Sequence, residues 1–246
     1  MDFEKVEYCD NLEMGYISNL SGGFISKNTH IFNEIELNSL NKFILEKSVY
    51  GTPIFKLGNE GRKILILSGI HGNELPSQIA NIRILNELVN KEINNTIFFI
   101  PFAAPKATME NSRFFNSLDL NRAAHIENSL SNVLVKRIVE LKIDFVGDFH
   151  STAYNSNPGI ESIFSTKSPT PESFLMASYI ARDVKCKLIS FDSAGESYKG
   201  AVEDVCNMRG VPAITGEVLS PFSSVGEGSA ERSLLQMKSF LSYFGI

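Results

Sequence analysis

The segment ILILSGIHGNELPSQIANIRILNELVN, residues 64–90, decides the fold. Residues 64–67 are all aliphatic, with no polar residue to face water, and so predict a strand buried on both sides. Ser68 and Gly69 break the run. Beyond them Ile79, Ile82, Leu85 and Val89 recur at the spacing of one helix face. A buried strand that runs into a helix is the unit of a parallel sheet, and such sheets carry ligands at the carboxyl ends of their strands. His71 and Glu74 occupy that junction. Three residues apart on a turn, an imidazole and a carboxylate can point the same way and make half of a Zn2+ site.

Outward from this unit the alternation continues. Upstream, SVYGTPIFKLGNEGRKILIL (48–67) reads as two strands around a turn at Gly58, Asn59, Glu60 and Gly61. Helical spacing at Leu40, Phe43 and Ile44 predicts a helix over 37–46, and GFISKNTHIF (23–32) suggests part of a hairpin; the rest of residues 1–47 carries little readable pattern. Downstream, 96–100 is another buried strand closed by Pro101, and 102–127 is a long stretch without regular spacing. A helix follows through Leu130, Leu134, Ile138 and Leu141, then a strand over 144–150 that ends in His150. Helices around 175–180 and 201–209 flank a strand at 187–191; Gly210 stops the second helix before a strand at 211–215. Leu234, Met237, Leu241 and Phe244 mark a final amphipathic helix. This order predicts one domain over 1–246, a three-layer α/β/α architecture with a mixed, mostly parallel sheet and helices on both faces.

Composition sets the class. The 246 residues are 43% hydrophobic and 21% charged, ordinary for a globular protein with a substantial core. A formal net charge of −5 argues mildly against nucleic acid as a partner. Cys9, Cys186 and Cys206 are isolated and odd in number, which predicts reduced thiols and a cytoplasmic protein. The acidic N-terminus is not a signal peptide, and no apolar run approaches membrane-spanning length. The expected partner is a small molecule; the oligomeric state cannot be read.

Only four histidines exist, and His71 and His150 end strands at equivalent places. Two histidines and one carboxylate leave a fourth metal position open for water, the pattern of a catalytic site. Asp148, two residues before His150 on the same side of its strand, is placed to orient that ring. Glu217, in ITGEV, is the best candidate for a general base. Arg113 and the pair Asn121-Arg122 lie in the long irregular stretch and can supply forks for a carboxylate or a developing oxyanion. Plainer readings stand beside these: Glu74 opening a helix near its positive end, the arginines pairing with Asp119, Glu110 or Glu127, and a solvated Glu217. His30 and His125 read as surface or structural residues.

HGNE at 71–74, an arginine followed by DLNR at 119–122, D-x-H at 148–150 and GVPAITGEV at 210–218 together resemble the zinc carboxypeptidase superfamily. They are most similar to its succinylglutamate desuccinylase/aspartoacylase branch, over roughly residues 48–220 and in the family's order. The resemblance implies one Zn2+ held by His71, Glu74 and His150, with Glu217 as the base that later donates the proton. It implies that Arg113 polarises the scissile carbonyl and that Asn121 and Arg122 hold a substrate carboxylate. Tyr198 stands where the superfamily has a mobile tyrosine, although packing a loop serves it equally well. Two departures are expected: only one helix follows Glu217 where the branch carries a C-terminal β-domain, and the Glu74–His150 spacing is short for a digestive carboxypeptidase.

The leading expectation is a zinc hydrolase cleaving an amide beside a carboxylate, an N-acyl amino acid deacylase. A carboxypeptidase acting on short or cell-wall-type peptides is the alternative enzyme. A catalytically silent carboxylate-binding protein is the reading from another class; retention of all the ligands, the base and both arginines argues against it.

Overall fold

The aliphatic run becomes the middle strand of a nine-stranded sheet in the computed structural model, which describes residues 1–7 and 9–246. The first half of the chain forms β1 (Glu4–Val6), β2 (Cys9–Ser18), α1 (Thr29–Phe32), α2 (Ser39–Ser48), β3 (Thr52–Leu57), β4 (Lys63–Ser68), α3 (Leu75–Leu88) and β5 (Thr96–Ile100). There follow α4 (Pro105–Met109), a small hairpin of β6 (Phe114–Phe115) and β7 (Leu118–Asp119), α5 (Leu130–Glu140), β8 (Phe145–Thr152) and β9 (Ser162–Ser168). The chain closes with α6 (Pro171–Asp183), β10 (Lys187–Ser193), α7 (Val202–Met208), β11 (Ala213–Leu219) and α8 (Ser229–Ser242).

The sheet order is β1-β2-β3-β5-β4-β8-β11-β9-β10. The central strands β5, β4, β8 and β11 are parallel; β3 and β9 join them antiparallel from either side. Side chains alternate across the sheet, so β4 feeds two cores. Ile64 and Ile66 pack in the layer with α3, α6 and α8, while Leu65 and Leu67 pack in the layer with α5 and α7. All four are fully buried, each contributing about 1.5–3 kcal/mol relative to exposure.

Because both faces of β4 are apolar, polarity cannot set its register. Asn81, fully buried on α3, does so instead. Its Nδ2 donates to the Ile66 carbonyl at 3.2 Å, to Ser68 Oγ at 3.1 Å and to the Ile100 carbonyl at 3.1 Å, tying β4 to β5.

Three expectations change. GFISKNTHIF is a 3-10 turn over Ile25–Lys27 leading into α1, not part of a hairpin. Asn28 causes this: its side chain accepts from the His30 amide at 3.2 Å and donates to the Thr108 carbonyl at 2.7 Å. The strands on either side of the Gly58–Gly61 turn do not pair, because β5 inserts between them. The stretch 102–127 stays irregular over much of its length but holds α4, the β6–β7 hairpin and a 3-10 turn over Leu120–Arg122. Among the described residues, no helix is long and apolar enough to cross a membrane.

Candidate active site

Strand order reverses at β4, with β5 on one side and β8 on the other, so a crevice opens at the carboxyl ends of these strands. The turn after β4 enters it. Gly72 is required there: a Cβ would stand 2.1 Å from the Ala107 carbonyl carbon of α4. Gln78, fully buried one turn into α3, donates to the Glu74 carbonyl at 2.9 Å and accepts from the Thr108 hydroxyl at 2.8 Å. Glu74 is the N-cap of α3, but its side chain does not cap the helix. It turns into the crevice.

There Nδ1 of His71 and Nδ1 of His150 each lie 2.7 Å from a different oxygen of the Glu74 carboxylate. The Ser151 amide donates to Glu74 Oε2 at 3.2 Å. The three side chains are 2–3% exposed as residues, and their ligand atoms all lie within 4.8 Å of one another. Each imidazole has a carboxylate behind its far nitrogen. His71 Nε2 is 2.9 Å from Asp119 Oδ1, and His150 Nε2 is 3.1 Å from Asp148 Oδ2, close but not aligned as a hydrogen bond. Carboxylates in this position orient metal-ligating histidines and raise their basicity. Two neutral nitrogen donors, one carboxylate and two outer carboxylates fit a small divalent cation such as zinc.

Charge is unevenly arranged. Burial alone would raise Glu74, but His71 and His150 hold its carboxyl far below the usual range. Burial would lower His150, yet the carboxylates of Asp148 and Glu74 raise it well above an ordinary imidazole. Asp119 is likewise held far down, against its own burial, by His71 and Arg113. Glu217 goes the other way. Burial, and after it the Glu74 carboxylate, push Glu217 up to about 8. It sits on β11 directly across from His150, with Oε2 buried and unpartnered.

Arg113 stands over this group. Its Nε and Nη2 both reach Asp119 Oδ2 at 3.0 Å, and Nη1 lies 3.4 Å from Glu74 Oε1. So the expected pairing with Asp119 does form, and it points the arginine at the site. Asp119 also accepts from the Asn121 amide at 3.0 Å. Its role in joining His71, Arg113 and the Asn121 turn was invisible in the sequence, where DLNR showed it only as an arginine partner. Asn121 Oδ1 accepts from the Val202 amide at 3.0 Å, fixing the start of α7, and Arg122 lies over the Tyr198 ring at 5.1 Å. Tyr198 lines the cleft, packed edge-on against Phe164 and Phe191, with its hydroxyl accepting from Asn157 at 3.1 Å. All the expected site residues except the buried His150 line one cleft of about 550 Å3, open mouth included, and His150 lies at its wall through Glu74. His30 and His125 are exposed and take no part.

Residues 60–243 match the succinylglutamate desuccinylase/aspartoacylase catalytic domain. The chain belongs to that family. No curated protein matches it in sequence. Among solved structures, it is similar to a succinylglutamate desuccinylase/aspartoacylase from Rhodobacter sphaeroides at 18% identity and TM-score 0.62, covering 81% of this chain and 61% of that one. A succinylglutamate desuccinylase from Silicibacter sp. TM1040 is 16% identical with TM-score 0.64, covering 81% and 63%. A metallo-carboxypeptidase from Burkholderia cenocepacia is 14% identical with TM-score 0.59, covering 79% and 61%. These likenesses establish the fold, and the chain spans 61–63% of the length of these desuccinylase/aspartoacylase and carboxypeptidase relatives.

Proposed function

We propose that the protein is a hydrolase that uses one zinc ion to cleave an amide bond beside a carboxylate, an N-acyl amino acid deacylase of the desuccinylase/aspartoacylase type. The observation that carries this is the convergence of His71 Nδ1 and His150 Nδ1 on Glu74 at 2.7 Å, with Glu217 beside His150 on the next strand, its Oε2 buried. His71, Glu74 and His150 would hold the ion. A zinc ion there supplies Lewis acidity to the scissile carbonyl and makes water a nucleophile near neutral pH.

The chain's own groups do the rest. Glu217, with its Oε2 buried and unpartnered, takes the proton from the attacking water and returns it to the leaving nitrogen. Arg113, fixed by Asp119, presents Nη1 toward the reacting centre and stabilises the negative oxygen that develops there. Arg122 and Asn121 receive the substrate carboxylate, and Tyr198 walls the cleft beside them. The substrate is thus a small carboxylate-bearing amide or the end of a short peptide. Cys186 and Cys206, which carry free thiols, support a cytoplasmic location, and we take residues 1–246 as one catalytic domain.

The test is metal analysis joined to hydrolysis. Zinc-loaded wild type should bind one ion per chain and hydrolyse some members of a panel of N-acyl amino acids and dipeptides. His150→Ala should lose both ion and activity while keeping its circular dichroism spectrum. A wild type with no zinc site that this substitution abolishes would sink the proposal.

A further inference from the structure

Three glutamates line the cleft, and the proposed reaction uses only Glu74 and Glu217. The third, Glu203 on α7, is 5% exposed. Asn207, one helical turn on, donates to its Oε1 at 2.6 Å. That amide is itself immobilised, donating to the Ala213 carbonyl at 3.1 Å and accepting from the Ala213 amide at 3.0 Å. Glu203 is therefore held in one orientation. Its Oε2 has no hydrogen-bond partner and no cation among the described residues, and Glu203 is one of the residues that line the cleft.

The strand register gives its depth. His150, Glu217 and Ser162 lie side by side on β8, β11 and β9; one step further from the strand ends come Asp148, Thr215 and Phe164. Thr215 and Phe164 line the cleft with Glu203, so this deeper row and α7 make the inner end. Arg122 and Tyr198 border the cleft nearer the surface.

A carboxyl group buried without a cation is costly to ionise. Burial first, then the neighbouring carboxylates of Asp204 and Asp148, hold Glu203 well above the ordinary carboxyl range. If its task were only to brace Asn207, one oxygen would suffice and a glutamine would serve better. The second oxygen has a use only when something in the cleft donates to it.

We propose that Glu203 determines substrate specificity by receiving an ammonium group at the end of the substrate's amino-acid side chain, while Arg122 and Asn121 hold its carboxylate. This rests on the reading of the cleft as a carboxylate-bearing amide site. The ligand class is a basic amino acid, free or N-acylated, of which lysine is the probe. Norleucine, the same chain without the ammonium, is its control.

The experiment is calorimetric titration of zinc-loaded protein with L-lysine and L-norleucine, alongside hydrolysis of their Nα-acetyl derivatives. Wild type should bind lysine at least about tenfold more tightly than norleucine, the scale expected when a buried carboxylate gains its only cation. Glu203→Gln keeps the Asn207 hydrogen bond, and should bind the two alike with norleucine affinity unchanged. Lysine binding no tighter than norleucine in wild type, or no binding of either, overturns the proposal without reliance on any variant. A lysine preference that survives in a folded Glu203→Gln also overturns it. A lysine preference that Glu203→Gln abolishes, in a protein that hydrolyses no amide, upholds the assignment of Glu203 and refutes the hydrolase reading instead.

Discussion

Replacing Asp119 with asparagine should loosen the proposed metal centre, although Asp119 is not among its three proposed ligands. Its Oδ1 takes His71 Nε2 at 2.9 Å and the Asn121 amide at 3.0 Å; its Oδ2 takes Arg113 Nε and Nη2, both at 3.0 Å. Asparagine has a single oxygen. If that oxygen stays with His71, the new NH2 faces a guanidinium that can only donate. If it turns to Arg113, the NH2 faces His71 Nε2, which donates whenever Nδ1 is kept free for a metal. Neither orientation satisfies both sides. Losing the partner behind a ligating histidine costs about 10–100-fold in metal affinity, or about 1.4–2.7 kcal/mol. Competition of zinc between the protein and a chromophoric chelator measures this directly. Arg113→Ala is the control, since it leaves the His71–Asp119 hydrogen bond in place and should retain zinc. Asp119→Ala, which leaves no oxygen in either orientation, decides the matter: if it binds zinc as wild type does while remaining folded, Asp119 does not hold His71 and the reasoning fails.

Three further expectations follow from the same geometry. In metal-free protein, Glu217 titrates near 8 rather than its ordinary 4.5, so the native state holds a proton that the unfolded state releases. Its stabilising contribution is complete below about 4.5 and is lost as pH rises through 8. Wild type should accordingly lose stability relative to Glu217→Gln between pH 5 and pH 9 in denaturant titrations (a pH-range of assay, roughly the window set by linkage); a constant difference across that window contradicts the burial argument. Arg113→Ala should lower kcat by about 10²–10³-fold with little change in KM, because its fork acts on charge present only in the transition state. An effect confined to KM would make it a substrate clamp. Gly72→Ala should lower the melting temperature and weaken zinc binding together, since a Cβ 2.1 Å from the Ala107 carbonyl carbon must push the His71 turn away from α4. A stable variant with intact zinc affinity would show that the turn has slack.

What the sequence made legible was whatever depends on periodicity and junctions. The unbroken run at 64–67 and the helix spacing after it located β4, α3 and the crevice between them, because a doubly buried strand must be apolar on both faces. Strand ends then located His71 and His150. The strand β9, Ser162–Ser168, escaped notice because SIFSTKS has few aliphatics; it is tied to its neighbours through Ser173, whose hydroxyl accepts from the Thr166 backbone amide and donates to the Ala213 carbonyl. β2, Cys9–Ser18, has a long polar content suited to a place near the sheet edge, with no apolar run to announce it. Glu203 draws no reading in the sequence, and Asp119 reads only as a partner for the arginines. Asp119 owes its importance to His71, 48 residues away, and Glu203 to the cleft that β11 and β9 close around it, and no local pattern records either.

The span between Glu74 and His150, 76 residues, has a kinetic consequence. A partly folded chain that meets an ion offers only the local pair His71 and Glu74, and His150 joins once β8 has docked beside β4. Pairings of such separation form late, after most of the loop-closure entropy has been spent. A metal ion held at the proposed site would therefore arrive too late to guide assembly. It should leave the refolding rate unchanged and slow the unfolding rate, acting as a latch on the finished sheet, so that a chain deprived of metal forms just as fast but opens more often.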